Sequence, residues 1–155
     1  LKYLPKAAHS KRIEIGESEM STIHETVPTD AYDALAENPQ AQLIDCRTRA
    51  EWNFVGMPDL SALPQDLICL EWTSLEGQPN EAFVPTIEAH LEKETPIFIM
   101  CRSGARSSAA CQALAANGFT NLYNVIGGFE GDANPDGHRG TKNGWKAAQL
   151  PWRQS

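Results

Sequence analysis

Seven consecutive residues, Cys101-Arg102-Ser103-Gly104-Ala105-Arg106-Ser107, bring together a thiol, two guanidinium groups, two hydroxyls and a glycine. A free cysteine titrates near pH 8.5, so only a few per cent is thiolate at neutral pH. Unpaired N–H groups at a helix N-terminus and nearby guanidinium charge both favour the thiolate. A drop of about two pKa units corresponds to roughly 2.7 kcal/mol and makes the thiolate dominant. Gly104 lets the backbone curl so that successive N–H groups turn inward. The chemistry this predicts is an anion-binding cradle with a sulfur nucleophile, Cys101, at its floor.

Such a cradle needs a strand before it and a helix after it. Ile97-Phe98-Ile99-Met100 is a continuous apolar run, as expected of a strand covered on both faces in a parallel sheet. Ser108 to Ala116 is alanine-rich and helix-forming, and Asn117-Gly118 is a C-terminal stop. Further strands are expected around His24 to Val27, Ala41 to Asp45, Asp66 to Leu70 and Asn121 to Val125. Between them, Thr29 is read as the cap of a helix from Asp30 to about Glu37. A helical turn is read near Arg49 to Phe54, and a helix capped by Asn80 runs to about Lys93 with the stripe Phe83, Ile87 and Leu91. Strands alternating with helices imply a parallel sheet with right-handed crossovers.

The chain has 155 residues, 41% hydrophobic and 21% charged, which suits one ordinary globular domain. Residues 1–19 read as an extension, either a non-native leader or an arm, before a single domain over 20–155; Met20-Ser21 resembles a natural start. A net charge of −7 disfavours general nucleic-acid binding, which needs a basic footprint. No run of about 18 apolar residues is present, so no membrane partner is expected. The four cysteines have no C-x-x-C spacing and the four histidines are scattered, so no metal site is expected. A reduced, cytoplasmic setting follows as the expectation.

The 97–107 stretch resembles the active-site loop of the rhodanese-like sulfurtransferases. Leu43-Ile44-Asp45-Cys46-Arg47, then Glu51-Trp52, is similar to that family's Asp-x-Arg motif and the acidic-aromatic pair after it. Tyr123 to Phe129 resembles its last strand and Gly-Gly turn, and Gly144-Trp145 to Leu150-Pro151 its closing helix and exit. The resemblance covers roughly Thr26 to Trp152 and implies a three-layer α/β fold, a five-stranded parallel sheet flanked by helices. It implies a Cys101 persulfide, formed from a small-molecule sulfane donor such as thiosulfate and passed to cyanide or a thiol, including a protein thiol. Residues 102–107 would bind the donor, with Asp45, Arg47 and Glu51 as structural support. Arg106 would be held by Asp45 or Glu51. No cofactor is implied. Two departures stand out: Gly56-Met57-Pro58-Asp59 lacks the usual Gly-His-Ile-Pro-Gly pattern, and a polar insertion follows the Gly-Gly turn.

Two other readings compete. A related phosphatase or arsenate reductase would place five residues between cysteine and arginine; here four separate Cys101 from Arg106. A non-catalytic rhodanese-like interaction module is the third reading, which the presence of Cys101 disfavours. Cys111 and Cys69 read as core residues. Cys46 could approach Cys101 as a resolving thiol, though core packing is the simpler expectation. Asp132-x-Asn134-x-Asp136-Gly137 copies half of a calcium loop but has Asn143 where glutamate is needed, so a solvated turn is expected. The insertion, Gly131 to Asn143, should leave the carboxyl edge of the sheet near Cys101 and carries His138 and Arg139, which could contact the donor.

Overall fold

The run Ile97–Met100 is buried at all four positions and forms the central strand of the sheet. Residues 23–154 are described by the computed structural model; the expected extension over 1–19 and the start at Met20 lie outside them. In chain order the strands are β1 (Ile23–Thr26), β2 (Gln42–Asp45), β3 (Met57–Pro58), β4 (Ile68–Cys69), β5 (Ile97–Met100), β6 (Leu122–Val125) and β7 (Trp152–Arg153). The helices are α1 (Pro28–Glu37), α2 (Arg49–Phe54), α3 (Phe83–His90), α4 (Ala105–Ala115) and α5 (Gly144–Ala147).

Five strands pair in the order β1-β6-β5-β2-β4, all parallel. The expected architecture is observed, and β2 lies beside the cysteine's strand, with Asp45 opposite Met100. Alternation along the strands divides the core. Ile44, Ile97, Ile99 and Leu122 pack on one face with Phe83 and Ile87 of α3 and Leu114 of α4. Leu43, Phe98, Met100 and Val125 pack on the other with Leu35 of α1, Trp52 of α2 and Trp145 of α5. Each such side chain fully removed from water contributes roughly 1.5–3 kcal/mol. Among the described residues no helix is long and apolar enough to cross a membrane.

Several boundaries differ from the sequence reading. Thr29 is not a cap: α1 begins at Pro28, two residues before the expected Asp30, with Val27 at the N-cap. Proline tolerates that position because its missing N–H would have no partner there. Asn80 caps a separate turn, its Oδ1 accepting from the Ala82 N–H, and α3 begins only at Phe83. It stops at His90, and Leu91 is extended, because the chain must descend into β5. Gly56-Met57-Pro58 leads into a two-stranded antiparallel ribbon with Trp152–Arg153 that the sequence did not reveal. Gly56 has φ +110°, and a Cβ there would lie 2.8 Å from the Arg153 carbonyl oxygen, so the ribbon requires glycine.

Candidate active site

Cys101 follows β5 at the carboxyl edge of the sheet, and three residues later Gly104 caps α4. Gly104 is left-handed, with φ +119°, a conformation that side chains rarely adopt. That twist points its N–H at the Cys101 Sγ, 3.1 Å away. The Ser107 Oγ stands 3.3 Å from the same sulfur, and the Ser107 backbone N–H also faces it. The buried Cys46 thiol completes the set of donors.

These contacts decide the protonation state. The hydrogen bond from Cys46 is the largest influence, and with the donors of Ser107 and Gly104 it outweighs burial, pulling the Cys101 thiol down to about 4. Cys46 moves the other way: burial, the hydrogen bond to Cys101 and the charge of Cys101 hold it well above the usual range. The pair therefore keeps one proton, on Cys46, and carries its charge on Cys101. Burial pushes Cys69 and Cys111 up to about 12, so both are inert thiols.

The loop is braced from three sides. Arg106 donates two hydrogen bonds to Glu51, at 2.7 and 3.0 Å. Of the two carboxylates that could hold it, Glu51 does. Glu51 is itself fixed in a capping box with Thr48 at the start of α2. Burial raises its pKa, but the Arg106 and Thr48 hydrogen bonds prevail and leave it lowered. From below, Asp45 holds Arg47 through Nε and Nη2, the latter at 2.7 Å, with both side chains at 0% exposure. The Arg47 guanidinium also donates to the Gly56 carbonyl and lies 4.2 Å from the Phe129 ring centroid. Asp45 and Arg47 are thus a structural ion pair beneath the loop.

The third brace went unnoticed in the sequence. Asn124, buried on β6, accepts from the Ser107 hydroxyl at 2.5 Å and donates to the Gly104 carbonyl at 3.2 Å. The signal was present: one polar residue in an otherwise apolar strand. Beyond the Gly127-Gly128 turn, the Phe129 N–H donates to the Cys101 carbonyl, and those of Glu130 and Gly131 to the Arg102 carbonyl.

The remaining residues of the 102–107 segment surround the mouth. Arg102 is exposed and lines a cleft of about 520 Å³ with Glu51, Thr73, Arg106 and Glu130. Ser103 lines a second cleft of about 570 Å³ with Val27, Ile126, Asp132 and Lys142. Ala105 is exposed in the first turn of α4. Through Gly131 the insertion touches the active loop, on the carboxyl edge. His138 is exposed, and Arg139 turns back to donate to the Gly131 carbonyl at 2.6 Å, so the contacts of Arg139 lie within its own loop. Asn134 organises a turn there, its Oδ1 accepting from the N–H groups of Asp136 and His138. No cluster of metal-ligating residues occurs among the described residues.

The sequence pattern of the STR4 middle domain family matches residues 24–155. The chain belongs to this rhodanese-like family. Its relatives are consistent with that membership. An uncharacterized protein of Rickettsia conorii is 38% identical over 125 residues, 81% of this chain and 93% of the relative. The thiosulfate sulfurtransferase GlpE of Vibrio cholerae is 29% identical over 125 residues, 81% of this chain and 91% of that protein. Among solved structures, Rv0390 from M. tuberculosis superposes with a TM-score of 0.79 at 41% identity, covering 85% of this chain and 98% of the other. As a rhodanese-like domain the chain has a cysteine-bearing loop after its central strand, with the Gly104 N–H turned toward the sulfur.

Proposed function

We propose that this rhodanese-like domain is a sulfurtransferase that carries sulfane sulfur as a Cys101 persulfide. The observation that carries the reading is the thiolate itself: a buried sulfur held in its charged form by the neighbouring Cys46 thiol and the backbone N–H groups of Ser107 and Gly104. The thiolate attacks the outer sulfur of a donor such as thiosulfate. A new S–S bond forms, the donor's S–S bond breaks, and sulfite leaves with the electron pair. A thiol acceptor, including a protein thiol, then takes the terminal sulfur and returns Cys101 to the thiolate. Backbone N–H groups of residues 102–106 hold the charge that moves outward onto the terminal sulfur. Exposed Arg102 attracts the anionic donor. The reaction needs no general base, and it suits a reducing compartment such as the cytoplasm. The relative named thiosulfate sulfurtransferase supports this donor class.

The loop also speaks against the phosphatase or arsenate reductase reading. A tetrahedral oxyanion needs a free bidentate arginine. Arg106 is one residue too early for that role, and its Nη1 and Nη2 both bind Glu51.

Mass spectrometry after incubation with thiosulfate tests the assignment. Cys101 gains one sulfur atom, cyanide or a small thiol removes it, and Cys101→Ser shows neither the adduct nor turnover. Hydrolysis of p-nitrophenyl phosphate, or undiminished transfer in Cys101→Ser, would refute it. A folded chain that takes no sulfur from any sulfane donor would favour the interaction-module reading.

A further inference from the structure

The reaction above uses the sulfur of Cys101 and leaves a second buried thiol idle beside it. Cys46 directly follows β2, as Cys101 follows β5. The two strands are parallel, Asp45 stands opposite Met100, and the Cys46 N–H donates to the Met100 carbonyl at 2.9 Å. The next rung of that ladder sets Cys46 against Cys101. Adjacent strands run about 4.7–4.9 Å apart, within the roughly 4.4–6.8 Å between Cα atoms that a disulfide spans. Side-chain alternation agrees: Ile44 and Cys46 belong to the same core cluster as Ile99 and Cys101, so both sulfurs point to one face. They lie near enough for each to shift the other's protonation. Cys69 is excluded by the same alternation, since it packs on the opposite face. Cys111 shares the face but lies within α4.

We propose that Cys46 is the resolving thiol of Cys101, so that hydroperoxide oxidation of Cys101 ends in a reversible Cys46–Cys101 disulfide. In the first step the Cys101 thiolate attacks one peroxide oxygen. The S–O bond forms, the O–O bond breaks, the sulfur loses two electrons, and hydroxide leaves to become water. In the second step Cys46 gives up its proton and attacks the Cys101 sulfur. The S–S bond forms, the S–O bond breaks, and the departing hydroxide takes that proton as a second water. Two thiols and one hydroperoxide thus become a disulfide, water and, for hydrogen peroxide, a second water. A dithiol reverses the product by exchange and leaves as its own cyclic disulfide.

The surroundings favour the order of these steps. While Cys101 is charged it holds the proton on Cys46. A sulfenic acid at Cys101 no longer carries that charge, while Arg106, whose charge favours the Cys46 thiolate, remains. Cys46 is 0% exposed, so only its neighbour can react with it. Trapping as the disulfide keeps Cys101 from climbing to the irreversible sulfinic and sulfonic acids. The inference requires only the Cys101 thiolate and stands whatever the sulfur donor proves to be.

The test uses hydrogen peroxide on the reduced full chain, followed by alkylation in denaturant and digestion without reductant. The expected product is two hydrogens lighter, links the Cys46 and Cys101 peptides, leaves Cys69 and Cys111 alkylated, and is reopened by dithiothreitol. In Cys46→Ala, Cys101 passes on to sulfinic and sulfonic acids, and the thiol recovered by dithiothreitol falls at least about tenfold. The wild-type peptide map decides the matter by itself if that variant does not fold. Cys101 paired with Cys69 or Cys111, over-oxidised in the wild type, or still a free thiol overturns the proposal.

Discussion

Replacing Cys46 by alanine should raise the pKa of Cys101 without abolishing its charge at neutral pH. The Cys46 hydrogen bond is the largest of the influences that bring Cys101 down to about 4. A hydrogen bond to a charged group contributes about 1.5–3 kcal/mol, and a thiol donor belongs at the lower end. At roughly 1.4 kcal/mol per unit, the loss moves the midpoint up by about one to two units. Ultraviolet thiolate absorbance, taken as the difference from Cys101→Ser, follows the titration. Cys69 and Cys111 are silent in the acid range because burial holds them at about 12. The acid limb of kcat/KM moves with the midpoint, while the rate at neutral pH changes little. Cys46→Ser keeps a donor and should restore the low midpoint. The stability consequence has a definite sign. Because the folded pKa is depressed, the thiolate's contribution is complete above the ordinary thiol value of about 8.5 and is lost progressively as pH falls toward about 4. Cys46→Ala narrows that window from below. A midpoint unmoved in Cys46→Ala, or a serine variant that behaves like alanine, would refute the shared-proton reasoning.

Four further outcomes follow from the braces and the mouth. Asp45→Ala leaves Arg47 charged at 0% exposure, and its urea midpoint should drop by the equivalent of about 3–5 kcal/mol. Arg102→Ala should raise KM for thiosulfate with stability unchanged, since Arg102 is exposed. Arg106→Ala should lower kcat as the loop loosens and cost about 1 kcal/mol, modest because the Glu51 pair is partly open to water; steady-state kinetics separate the two arginines. Gly128→Ala should abolish sulfur transfer, because its Cβ would meet the Arg102 carbonyl carbon and oxygen at 2.6 Å and displace the active loop; a variant with wild-type turnover would contradict this.

What the sequence disclosed follows the range of the interactions. Ile97–Met100 could be read as a buried strand because its burial on both faces is written in consecutive residues. Gly104 and the start of α4 are likewise local. Residue spacing leaves the partner of Arg106 open between Asp45 and Glu51, since choosing requires knowing how α2 sits against α4. Asn124 is not legible as a site residue because its partners, Ser107 and Gly104, lie on another element. The closeness of Cys46 and Cys101 depends on the register of β2 against β5, where a shift of one residue would send one sulfur to the opposite face. The β3–β7 ribbon joins segments too short to show any periodicity.

The strand order has a consequence for synthesis on the ribosome. The strand before Cys101, β5, is flanked by β2 and β6, and β6 in turn carries β1 at the sheet's edge. β2 precedes β5 in the chain, but β6 is made last of the five, and only then can Ile23 pair with Leu122. Until Val125 has emerged, β5 has one open edge and Ser107 lacks Asn124. Contacts of such sequence separation form slowly and late. The loop around Cys101 therefore gains its Asn124 brace only after the last strand of the sheet has left the ribosome.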